Sequence, residues 1–307
     1  MKIKATREDI IFDTINYILL CLLIIITLYP FLNTIAISLN DSTDSIRGGI
    51  YIWPRKFTTI NYSIIFKNQA IYHAAFISTA RAIIGAALNV TCSLIVGYAL
   101  SRQEFVFRKF YSRIFVASMY ISAGLIPGYF LIMNLNLRNN FLVYVLPAIV
   151  SAFNIMIVRS YVAGLPPSLI ESAKIDGANE LKIIFSIVMP LSVPVLATVI
   201  LFVAVGQWNS WFDTMLYCSN TNLSTLQFEL QKVLQSSLSM ASSGASQLDA
   251  LKGASARATV TPNSLKAAMT IVAILPILVV YPYLQKYFTK GLTLRSEERR
   301  VGKECME

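Results

Sequence analysis

The stretch 171–190, ESAKIDGANELKIIFSIVMP, sets a charged segment centred on Gly177 between two apolar runs that are each long enough to cross a membrane. The chain around it is 55% hydrophobic, only 14% charged, and has a mean hydropathy of +0.60. That balance is far from a soluble domain and belongs to an integral membrane protein. Crossing about 30 Å of hydrocarbon takes roughly 20 apolar residues in a helix. Six runs qualify, near 12–37, 72–100, 112–134, 141–163, 187–210 and 266–288. Outer-membrane strands would instead give short alternating segments, so the expected fold is all-α, a polytopic bundle of six transmembrane helices.

Working outward, Pro166-Pro167 ends the fourth run, and Ser168 with Glu171 three residues on has the spacing of a capping box, predicting a short helix from about Leu169. Gly177 ends it, either in a left-handed conformation or by admitting another backbone closely. A second helical run over Asn179–Ser186 leads into the fifth span, which Pro190 kinks or starts. A helix lying on headgroups favours a basic polar face. Here Lys174 and Lys182 are balanced by Glu171, Asp176 and Glu180, which suits a protein partner better.

Orientation follows the basic residues. The loop 101–113 carries Arg102, Arg108, Lys109 and Arg113, and the N-terminal segment Lys2, Lys4 and Arg7, whereas the loop 134–140 has only Arg138. By the positive-inside rule both termini and the loop 165–186 are expected in the cytoplasm, although Arg47, Arg55, Lys56 and Lys67 in the first outer loop weaken the contrast. The formal charge of +10 is spread over short loops, which argues against nucleic acid as a partner.

The first run is read as a retained helix, since it lacks a small-residue cleavage site. The outer segment 211–263 is a solvated loop or a docking and gating element, with a short helix expected around Leu226–Leu238. Residues 295–307, RSEERRVGKECME, crowd charges without an apolar face and are expected to be a non-native or disordered tail outside a 1–294 transmembrane domain.

Little in the chain points to catalysis. No phosphate-binding loop of the G-x-x-x-x-G-K-[ST] type occurs among the 13 glycines. His73 is the only histidine, and Cys21, Cys92, Cys218 and Cys305 are scattered, so neither a metal site nor a disulfide framework is indicated. Asp13 and Asp213 fall at span ends. A secondary carrier needs an ionisable group within the bilayer, and none has that position except Arg81. Arg81 is either a snorkelling or structural cation or a contact to a polar or anionic substrate. At the end of the fifth run, Gln207, Trp208, Asn209 and Trp211 suit sugar stacking and amide recognition or an interfacial aromatic belt; Trp211 fits the belt.

The signature carries a resemblance. Glu171-Ser172-Ala173, three residues, Gly177, nine residues, Ile187, one residue, Met189-Pro190 resembles the E-A-A-x3-G-x9-I-x-L-P motif of permease subunits of binding-protein-dependent ABC importers. Ser172 replaces an Ala and Met189 a Leu. YPFLNTIAISLN (29–40), FTTINY (57–62), GYALSR (97–102) and GLIPGYF (124–130) are similar to the maltose-type carbohydrate permeases, in particular those importing oligosaccharides from complex polysaccharides.

The resemblance implies a type I importer permease fold with a cytoplasmic coupling helix, in a bacterial inner membrane. Its implied partners are a second permease, two copies of an ATP-binding subunit and an extracytoplasmic solute-binding protein. ATP and Mg would sit on the partner, with no cofactor on this chain. Coupling would fall to Glu171, Ser172, Ala173, Asp176, Gly177, Ala178, Ile187 and Pro190, with Leu169, Ile170 and Ala173 as an apolar patch. The substrate path would involve Arg81, Gln207, Trp208 and Asn209. The competing reading is a stand-alone secondary transporter for small polar solutes.

Overall fold

The structure, a computed structural model, describes residues 7–242 and 261–282. The tail 295–307, Cys305, Lys2, Lys4, residues 243–260 of the outer segment and the end of the sixth run lie outside the described residues. Helices account for the described architecture, with one isolated antiparallel bridge between Asn40 and Phe57. In chain order they are α1 (Arg7–Ser38), α2 (Ser42–Ser45), α3 (Ile60–Lys67), α4 (Gln69–Ser101), α5 (Arg108–Tyr120), α6 (Leu125–Asn134), α7 (Leu142–Val145), α8 (Ala152–Val162), α9 (Pro167–Ile175), α10 (Glu180–Ile183), α11 (Met189–Leu191), α12 (Val193–Asn209), α13 (Phe212–Tyr217), α14 (Leu226–Ser242) and α15 (Pro262–Pro282).

Three helices are long and apolar enough to span by themselves: α1, α4 and α15. The other three apolar runs are broken, contrary to the continuous spans expected from composition. They form bent pairs, α5 with α6 at 116°, 142–148 with α8 at 46°, and 180–191 with α12 at 85°, giving up to six spans if each pair counts as one. The break in 112–134 falls at Gly124, whose φ of +83° no helix accommodates.

The described residues divide into two units, 7–69 with 230–242 and 261–274, and 70–229 with 275–282. In the first, α1 presents apolar side chains all round and none of its apolar window is buried by this chain, which leaves its surface for lipid or another protein. Beyond it a polar knot holds the first loop. Asn61 Nδ2 donates to the carbonyls of Ser38 (2.8 Å) and Asn40 (3.2 Å), and Arg55 Nε bonds Asp44 Oδ2 at 3.0 Å.

In the second unit α4 is the central rod, 33 residues or about 50 Å. Val90, Leu94 and Tyr98 on its buried face pack with Val158 and Val162 of α8, Ile170 of α9, Ile183, Val188, and Val195 and Val199 of α12. At Gly97 a side chain would meet Arg159 N and Val158 Cγ1, each at 3.0 Å, so only glycine lets α4 approach the α8 backbone this closely.

The break before α8 leaves carbonyls at membrane depth that need donors. Asn89 supplies them, its Nδ2 donating to the carbonyls of Ala148 (2.6 Å) and Ile149 (3.2 Å), while its Oδ1 accepts from Asn154 Nδ2 at 2.9 Å. The broken span is thus held by a polar contact from its neighbour.

Candidate functional site

The loop joining α8 to α12 folds into the helix–turn–helix expected for 168–190. Its start differs from the expected capping box. Pro166 occupies the N-cap position, Pro167 is the first helical residue, and no side chain caps the helix. A proline at the first position has its φ already set and no N–H to satisfy, so the helix starts earlier and Ser168 lies inside its first turn.

The end of α9 is a Schellman turn. Ala178 N donates to Ala173 O (3.0 Å), Gly177 N to Lys174 O (3.1 Å), and Gly177 has φ +76°. Of the two readings left open for Gly177, the left-handed one is found. Nothing lies within 4 Å of where a Gly177 side chain would begin, so this chain leaves the space outside the turn open. Asn179 then caps α10 by accepting from Lys182 N at 2.8 Å.

The apolar patch differs from expectation. Ile170 and Ala173 are buried against the chain's own core, because the same face of α9 must cover Tyr98 and Val162. The large apolar side chains left exposed are Leu169, Ile175 at 87% and Leu181 at 60%. Glu171, Ser172 and Asp176 are exposed with them, Ala178 and Ile187 are half-buried, and Pro190 is exposed.

Pro190 neither starts the fifth span nor marks its sharp bend. The chain runs helically through it and turns at Ser192, ahead of Pro194. Pro190 cannot donate to the carbonyl four residues back, and the preceding turn, Ile184–Val188, is wound as a π-helix.

Ion pairs clip this loop to the end of α4. Lys174 Nζ stands 2.8 Å from Glu104 Oε2 and 3.0 Å from Glu180 Oε1, and the Tyr98 hydroxyl donates to Glu180 Oε2 at 2.6 Å. The bond to Glu104, then that to Glu180, raises the Lys174 pKa; the bond to Lys174 lowers that of Glu104.

The second candidate region is a cavity of about 890 Å³ bordered by α4, α6, α7, α8 and α12. Arg81, 1% exposed, stands at its wall. Its Nε donates to Gln207 Oε1 (2.9 Å), Nη1 to Ser210 O (3.1 Å) and Nη2 to Asp213 Oδ2 (2.9 Å), and the guanidinium lies 4.4 Å from the Tyr144 ring centre. Gln207 Nε2 in turn donates to Tyr144 O at 3.1 Å.

Arg81 and Gln207 therefore meet at one cavity. Trp208 lines a different, apolar cavity of about 620 Å³, since adjacent helical residues point about 100° apart, and exposed Asn209 lines neither. Sequence reasoning missed Asn89, Tyr144, Asn154 and the partnership of Asp213. The two asparagines had a signal, being amides within apolar runs. Tyr144 had none.

An all-helical chain with broken apolar spans, a polar-walled cavity among them and a projecting charged loop is a multi-pass membrane transport component. The chain belongs to the family described as binding-protein-dependent transport system inner membrane component, which it matches over residues 9–294. It is a permease and not an enzyme by family.

Among curated relatives it is 32% identical to the polygalacturonan/rhamnogalacturonan transport system permease protein YtcP of Bacillus subtilis, covering 93% of this chain and 98% of that protein. The arabinooligosaccharides transport system permease protein AraQ of Halalkalibacterium halodurans is 28% identical over 88% of this chain and 90% of that one. A solved structure of a bacterial ABC transporter involved in import of the acidic polysaccharide alginate aligns with a TM-score of 0.78 and 26% identity, over 94% of this chain and 100% of that chain.

Proposed function

We propose that this chain is the permease subunit of an ATP-driven importer of oligosaccharides released from complex polysaccharides, forming half of the translocation pathway. The observation that carries the reading is the α9–Gly177–α10 turn. It is braced on its own chain through Lys174, yet leaves Leu169, Ile175 and Leu181 exposed beside Glu171 and Asp176. Exposed large apolar side chains rimmed by charge suit a groove on a separate ATP-binding subunit. The names of the relatives supply the substrate class.

In this reading ATP and Mg are bound by the partner, two copies of which sit beneath this chain and a second permease, while a solute-binding protein delivers the sugar outside. Both termini and α9 are cytoplasmic. Closure of the ATP-binding pair moves α9 and α10 together, and the core formed by Ile170, Ile183 and Val188 carries that motion to α4 and α12. The polar wall at Arg81 and Gln207 borders the path.

The test is purification of the tagged chain from its native membranes, with its companions identified by mass spectrometry, followed by reconstitution and uptake of labelled oligogalacturonides with and without ATP. Recovery of an ATP-binding subunit and a second permease, with ATP-dependent uptake, is expected. A stable, monodisperse chain purified alone that transports without ATP would overturn the reading in favour of a secondary carrier.

A further inference from the structure

The first loop carries a cluster the transport reading leaves unused. Tyr51 (65% exposed), Ile52 (49%), Trp53 (81%) and Phe57 (69%) project from one short stretch. Contiguous exposed apolar side chains of this size mark an interaction surface. What they meet is fixed by their level along α1.

Two sets of bonds set that level. Asn33 Nδ2 donates to the carbonyls of Ile50 (2.7 Å) and Tyr51 (3.0 Å). Further along, Asp41 N donates to Lys56 O and Thr58 N to Leu39 O, each at 2.8 Å. The chain thus runs beside α1 from the level of residue 33 at Tyr51 to the level of residue 40 at Phe57, a rise of about 10 Å. Trp53 lies between these fixed points.

The charges flanking the apolar part of α1 are Asp13 and Asp41. Centring a span of roughly 20 residues between them places the hydrocarbon edge near residue 37. Asn33 falls about a turn inside that edge, where an unbonded amide is costly. Its bonds to two loop carbonyls satisfy it and draw the loop down to the membrane. Arg55, 45% exposed, is paired with Asp44 Oδ2 (3.0 Å) and Gly48 O (2.6 Å), and exposed Lys56 stands beside it, so the tip joins aromatic side chains to cations that suit lipid phosphates.

We infer that residues 51–57 form an interfacial anchor in which Tyr51, Ile52 and Trp53 insert between lipid headgroups at the outer end of α1. Tyr and Trp suit that layer because their rings are apolar while their O–H and N–H remain solvated. The anchor fixes the depth of α1 and the first loop. The inference rests on α1 crossing the bilayer, independently of which solute is carried.

The test uses the full chain in proteoliposomes made with lipids brominated near the headgroup end or near the methyl end of the acyl chain. The Trp208→Phe/Trp211→Phe variant leaves Trp53 as the only tryptophan of the three. Should that variant not fold, Trp53→Phe compared with the unaltered chain isolates the same signal by difference. Expected is a roughly twofold loss of Trp53 emission with the shallow bromines, a smaller loss with the deep ones, and weaker iodide quenching than for free tryptophan. Quenching by iodide alone would put the tip in water. Quenching by neither would mean that a protein neighbour covers it, and either result overturns the anchor.

Discussion

The Arg81 guanidinium meets the Asp213 carboxylate at 2.9 Å across 132 residues of sequence, with the arginine side chain 1% exposed and the aspartate 37%. This pair, with Gln207 and Tyr144, ties the middle of α4 to the end of α12 and the start of α13. Its asymmetric burial determines how each half responds to substitution.

Asp213→Asn leaves a buried cation facing neutral partners, whereas Arg81→Gln leaves a carboxylate that reaches solvent. The first is expected to be the more damaging, by roughly 2 kcal/mol or more, and the double variant to recover part of the loss. Thermal unfolding of the three variants in detergent checks the order.

Gly177 needs its φ of +76° but no space of its own. Gly177→Ala should cost about 1–2 kcal/mol from backbone strain, and Gly177→Asn less, because Asn tolerates the left-handed region. Under the proposed docking of a partner into the open space, Gly177→Asp should abolish uptake while the protein stays in the membrane. Uptake assays beside membrane-fraction blots separate folding from docking; normal uptake by Gly177→Asp would count against docking.

Asn89→Leu removes the only donor seen on the Ala148 and Ile149 carbonyls among the described residues and strips Asn154 of its acceptor. A loss of roughly 1–3 kcal/mol per stranded buried group is expected. The melting temperature should fall further for Asn89→Leu than for Asn89→Asp, whose carboxyl still accepts from Asn154.

The Lys174–Glu104 clip has a defined pH window. Glu104 has a lowered pKa, so its contribution is complete above the ordinary carboxylate value of about 4.3 and is lost as pH falls through the lower folded value. Lys174 has a raised pKa, so its contribution is complete below about 10.4 and is lost as pH rises through the higher folded value. Hydrogen exchange of 167–180, corrected for intrinsic rates, should therefore show constant protection between about pH 5 and 9. Lys174→Gln should raise exchange throughout.

The sequence by itself determined the solvent and the joint. Runs of about 20 apolar residues can only be satisfied by lipid-embedded helices, and the spacing Glu171, Gly177, Pro190 marks a helix–turn–helix whose glycine ends the first helix by a local left-handed turn, although the start at Pro167 in place of a Ser168 capping box was seen only in the structure. Tertiary structure decided which face of that joint is free. Nothing local distinguishes Ile170 from Ile175, yet one covers Tyr98 and Val162 while the other is 87% exposed. It also decided where apolar runs break, because a bend inside a membrane is tolerable only where a distant residue such as Asn89 donates to its carbonyls. It alone turned Asp213 from a residue at the end of a span into the partner of Arg81, since a bond across 132 residues depends on helix packing, which hydropathy does not encode.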